Sequence, residues 1–91
     1  MPLYTFIMEY AGDTYLSQVK AASPRVALKV WVRGLPDDEI PDFDSANKAR
    51  LVREIGEASP APRTGAVNVW SISPRIRGQS ALINLVQTVE A

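Results

Sequence analysis

The segment LYTFIMEYAGDTYLSQVKAA, residues 3–22, decides how this chain folds. In its first eight residues the even positions Tyr4, Phe6, Met8 and Tyr10 are apolar or aromatic, whereas the odd positions include Thr5 and Glu9. Side chains alternate between the two faces of a strand, so this pattern predicts a strand over 3–10 with the even set facing a core. Gly12-Asp13 then suits the centre of a tight hairpin turn. The returning strand covers 14–22, with Tyr15, Val19 and Ala21 on one face and Thr14, Leu16, Gln18 and Lys20 on the other.

Beyond this hairpin the period changes. Ser23 is a good helix N-cap and Pro24 fits the first helical position, where no intrahelical donor is needed. The helix runs to about Arg33, with Gly34 as its stop. Its apolar residues Val26, Ala27, Leu28, Val30, Trp31 and Val32 leave only Arg25, Lys29 and Arg33 as a polar stripe. A helix with so wide an apolar arc needs cover on more than one side, and Trp31 is expected in the core. A second helix is predicted over roughly 45–56, capped by Asp42 or Asp44. It carries Leu51, Val52 and Ile55, with Arg50 and Glu54 spaced as an i,i+4 pair.

The prolines of 58–65 read as a linker. Residues 66–73 predict a third strand, 74–79 a loop and 80–89 a fourth strand. In the fourth, Ala81, Ile83, Leu85 and Val89 share one face, and Leu82 and Val86 the other. The predicted fold is therefore α+β, with one domain over 1–91. Two terminal hairpins, in the order β-β-α-α-β-β, form an antiparallel sheet with two helices packed on one face.

Composition narrows the chemistry. The 91 residues have no cysteine and no histidine, which removes disulfides, thiolate chemistry and histidine-dependent triads. The formal net charge is zero, so nothing draws the whole chain to nucleic acid or an anionic membrane. The amino terminus lacks the pattern of a signal peptide and no apolar run suits a membrane span, so a cytoplasmic location is expected. No Ser-x-x-Lys or Gly-x-Ser-x-Gly pattern occurs. A non-enzymatic protein without a cofactor, metal or catalytic residue is the expectation.

The hairpin YTFIMEYAGDTYLSQV followed by SPRVALKVW is similar to the antitoxins of the HicB type, a resemblance covering about half the chain. It implies an antitoxin or a nucleic-acid-associated regulator. The chain departs from that family in having no third strand with a Pro-Gly-Cys segment between Ala21 and Ser23. The whole pattern, including NVWSIS and LINLVQT, resembles a small bacterial family of uncharacterised proteins, which implies no activity.

Four groups invite a functional reading. The acidic loop Asp37, Asp38, Glu39, Asp42 and Asp44 offers oxygen ligands, but it lacks the glycine and distal glutamate of a calcium loop. A solvated loop that partly neutralises Arg25, Lys29 and Arg33 is the preferred reading, and divalent-metal binding by 37–44 stays open. Arg75 and Arg77, with Trp70 nearby in sequence, could contact an anion. Phosphate-driven binding needs more charge than this, so nucleic acid is disfavoured as a partner. The aromatic row Tyr4, Phe6 and Tyr10 reads as core rather than as a base-stacking platform. Finally, Leu3, Ile7, Leu16, Leu82 and Val86 fall on the face opposite the core sets. Surplus apolar surface on so small a chain points to protein contacts, with a homo-oligomer expected and another protein partner also compatible.

Overall fold

The computed structural model describes residues 1–35, 45–57, 59–76 and 78–89. Strand β1 (Leu3–Tyr10) runs antiparallel to β2 (Asp13–Lys20), in one-to-one register from Leu3↔Lys20 to Tyr10↔Asp13. The turn between them is centred one residue earlier than the sequence suggests. Ala11 and Gly12 occupy its middle at φ 52° and 84°, the positive values that match the twist of a two-residue hairpin. Gly12 adopts this region freely, whereas Ala11 is strained there.

Helix α1 (Pro24–Arg33) begins where Ser23 Oγ accepts the Val26 N–H at 3.3 Å. It ends where the Gly34 N–H reaches back to the carbonyls of Val30 and Trp31. Helix α2 (Ser45–Glu57) is tied to the end of α1 by Lys48 Nζ, which donates to Leu35 O at 2.7 Å. The expected caps Asp42 and Asp44, and the whole acidic loop, lie outside the described residues. Glu54 of α2 turns to a later element: its Oε2 accepts the Arg75 N–H at 3.3 Å.

The C-terminal half is more divided than its sequence suggests. The supposed linker contains a two-residue strand, β3 (Ala61–Pro62), and the third expected strand shortens to β4 (Val69–Ile72). The expected loop carries a small hairpin of its own, β5 (Arg75–Ile76) with β6 (Gln79–Ser80), before β7 (Leu82–Thr88). Val89 falls past the end of β7 and is exposed, which removes it from the face it was expected to share with Ile83 and Leu85.

The main sheet is antiparallel in the order β2-β1-β7-β4-β3, so the first and last strands pair at its middle. Its inner face presents Tyr4, Phe6, Met8, Tyr10, Ile83 and Leu85. These pack against Ala27, Leu28, Trp31 and Val32 of α1 and Leu51 and Ile55 of α2 in one core. Both helices therefore cover one face, as the two sequence periods require. Trp31 is 3% exposed and stacks on Phe6 at 4.9 Å, with the planes 3° apart. Tyr4 meets Trp70 edge-on at 6.0 Å. The sheet and α2 together cover α1, yet Val26 and Val30 remain 44% and 49% exposed. Among the described residues no helix is long and apolar enough to cross a membrane.

Candidate functional site

The face turned away from the helices is built by side-chain parity. Once Tyr4, Phe6, Met8 and Tyr10 are buried, Leu3, Thr5, Ile7 and Glu9 must point outward. The register then places β2 and β7 beside them. Leu16 stands directly opposite Ile7, Gln18 opposite Thr5 and Thr14 opposite Glu9. On the other side, Val86 stands opposite Thr5, Asn84 opposite Ile7 and Leu82 opposite Glu9. All five expected surface aliphatics thus lie on one face of three adjacent strands.

They do not form one uninterrupted patch. Leu16 and Ile7 touch as a cross-strand pair, the arrangement that couples side chains most strongly in a sheet. Leu82 and Val86 reach Ile7 only along diagonals, with Asn84 between them. Leu3 sits at the far end, between Lys20 and Thr88. A polar chain also crosses the face. Gln18 Nε2 donates to Thr5 Oγ1 at 3.1 Å, Thr5 and Thr88 share a hydroxyl hydrogen bond, and Thr88 Oγ1 donates to Val86 O at 3.1 Å. Leu16 is 70% exposed and Leu82 38%; Leu3, Ile7 and Val86 are half-buried. The sequence pattern overlooked Val69, which extends the face opposite Val86. Its strand spans only four residues, too few for alternation to assign a face.

The strand that carries Leu16 also borders a second feature. Strand β2 is the edge of the sheet, and α1 runs beneath it. Between them lies a cleft of about 260 Å³ bounded by Ser17, Gln18 and Val19 on the strand and by Val30, Trp31 and Leu35 on the helix side. Trp31 Nε1 donates to Ser17 Oγ at 2.8 Å and so ties the edge strand to the helix. Partial burial, with the Asp13 carboxylate adding to it, raises the Tyr15 phenol above its ordinary pKa, because both disfavour a phenolate there.

The remaining candidates do not assemble into a site. The Arg75 guanidinium donates to the Gly78 carbonyl at 3.3 Å, within its own turn. Arg77 lies outside the described residues, and Trp70 is half-buried against Tyr4 rather than presented to solvent. The three aromatics of β1 are buried, so no stacking platform exists on that strand. Lys29 and Arg33 border a small pocket of about 120 Å³ against Val52 and Gly56. Another cleft, about 320 Å³ and open, wraps the β1–β2 turn beside Glu9, Asp13 and Ser80. Among the described residues no three acidic, histidine or cysteine side chains converge as metal ligands.

These features define a two-layer α+β fold in which, among the described residues, one sheet face and one long sheet edge stay open. Comparison with known proteins adds no relative: no family model, curated protein or solved structure matches the chain.

Proposed function

We propose that this chain is a non-enzymatic, self-associating protein-binding domain of the cytoplasm. The observation that carries the reading is Leu16, 70% exposed and paired with Ile7 on a sheet face that neither described helix covers. Burying one such leucine is worth roughly 1.5–3 kcal/mol, and a two-fold assembly buries two. In this reading Leu16 and Ile7 form the centre of the contact, and Leu3, Leu82 and Val86 extend it. Sedimentation at micromolar concentration should give the mass of a dimer, and Leu16→Lys should return it to a monomer. A monomeric parent, with Leu16→Lys and Leu82→Lys leaving mass and solubility unchanged, would end this reading.

A second reading rests on a different observation. Arg25, Lys29 and Arg33 on α1, with Arg50 and Arg53 on α2, give the helix layer a concentration of positive charge. That layer suits the nucleic-acid-associated role implied by the HicB-type resemblance. Salt-dependent binding of a random oligonucleotide would favour it over self-association alone.

A further inference from the structure

We infer that two copies of this chain join edge to edge through β2, antiparallel about a two-fold axis at Ser17, so that two five-stranded sheets become one continuous sheet. The inference rests on the self-association reading but places the contact at the β2 edge, which takes in Leu16 and leaves Leu3, Ile7, Leu82 and Val86 on the open face.

Among the described residues no strand pairs with the outer side of β2, which has eight residues, no proline and no bulge. Natural edges are normally blunted by such devices, and a long regular edge is a template for another strand. The direction of its outward groups follows from one hydrogen bond. The Ala21 N–H donates to Pro2 O at 3.1 Å, one step beyond the Leu3↔Lys20 pair. Hydrogen-bonded pairs alternate along an antiparallel ladder, so the odd residues of β2 bond to β1. Thr14, Leu16 and Gln18 therefore aim their backbone N–H and C=O groups at the open edge.

Side-chain parity then restricts the register. Residues directly opposite in an antiparallel pair share a face, so a two-fold axis must fall on a residue, not between two. Centring on Leu16 would set the Asp13 carboxylate against Val19 of the second copy. Centring on Ser17 instead sets Tyr15 against Val19, Leu16 against Gln18 and Thr14 against Lys20, and moves Asp13 past the end of β2, opposite the smaller Ala21. The second arrangement avoids desolvating a carboxylate beside a valine.

Charge supports the same pairing. Glu9 is the in-sheet neighbour of Thr14 on the outer face, so the opposing Lys20 arrives one strand away from a carboxylate. Antiparallel pairing thus sets the acidic end of each edge against the basic end of the other. On the inner face Val30 of α1 borders the cleft beside Val19, and Val26 lies one helical turn before it, both exposed. They are placed to meet their counterparts across the axis, which gives a second copy more to bury than an isolated peptide strand would.

The chain has no cysteine, so single cysteines report cleanly. Ser17→Cys would sit at a non-hydrogen-bonded pair on the axis, where opposing Cβ atoms approach to about 4.5–5.5 Å, close to disulfide reach. Mild oxidation at micromolar concentration should convert it to a covalent dimer. Thr14→Cys, whose copies are far out of register, should stay uncrosslinked. Leu16→Pro removes one outward N–H from each copy and no β1–β2 bond, and should weaken the dimer roughly tenfold or more. A monomeric parent overturns both this inference and the self-association reading. A dimer in which Ser17→Cys fails to crosslink overturns the edge pairing alone, whereas a dimer that Leu16→Pro leaves unchanged overturns the edge pairing and the Leu16-centred contact together.

Discussion

The two edges of the sheet are treated differently. The β3 edge is two residues long, and one of them is Pro62. The Arg63 N–H donates to Val69 O at 2.9 Å, so the neighbouring position 62 has its backbone turned away from β4, toward solvent. Proline there removes the one amide that would have invited another strand. At the opposite edge β2 is four times as long, carries no proline and is flanked by apolar side chains on both faces. A growing stack of sheets needs two competent edges, whereas a closed dimer needs one. The contrast is what a chain that pairs once and stops would require.

The largest expected effect comes from undermining the support of the open edge. Trp31 holds β2 from below through its hydrogen bond to Ser17, and β1 through its stack on Phe6. Trp31→Ala should cost about 3–5 kcal/mol, a large part of the stability of a small domain, measured by denaturant unfolding. Trp31→Phe keeps a ring against Phe6 but loses the hydrogen bond, and should cost less. A wild-type melt for Trp31→Ala would show that the edge does not depend on α1.

A smaller effect tests the blunted edge. Pro62→Val restores the outward N–H without burying or exposing core surface, so monomer stability should change by no more than about 0.5–1 kcal/mol. If Pro62 is what silences this edge, the variant should form species larger than a dimer, seen by light scattering at high concentration. If the mass stays that of the parent, the shortness of β3 is sufficient by itself.

Much of this contrast was only half legible in the sequence. The alternation of Tyr4, Phe6, Met8 and Tyr10 and the Ser23-Pro24 start of α1 each rest on local rules, and both elements stand where those rules place them. Two-residue strands have no period, so β3, β5 and β6 left no pattern to read. The turn was displaced by one because Gly12-Asp13 and Ala11-Gly12 both supply a glycine, and only the pairing of Tyr10 with Asp13 separates them. The five outward aliphatics followed from parity within each strand. That β2 is an edge depends on β7 pairing with β1, a contact between the two ends of the chain that no local pattern encodes.

The smallest effect is a titration on the open edge itself. Tyr15 points to the inner face of β2, where partial burial and then Asp13 raise its phenol pKa. The sign follows from linkage. A group that holds its proton more tightly in the folded chain leaves stability undiminished below its ordinary value, near 10. That contribution is lost as pH rises through the elevated value. Tyr15→Phe should therefore remove part of the alkaline loss of stability above pH ~10 and change little at neutral pH. Absorbance titration of the parent minus Tyr15→Phe isolates this phenol from Tyr4 and Tyr10. Asp13→Asn should lower its midpoint only part of the way, because burial is the larger cause. A midpoint unchanged by Asp13→Asn and equal to that of free tyrosine would place Tyr15 in open solvent, and would remove it from the inner face of the edge that a second copy is proposed to cover.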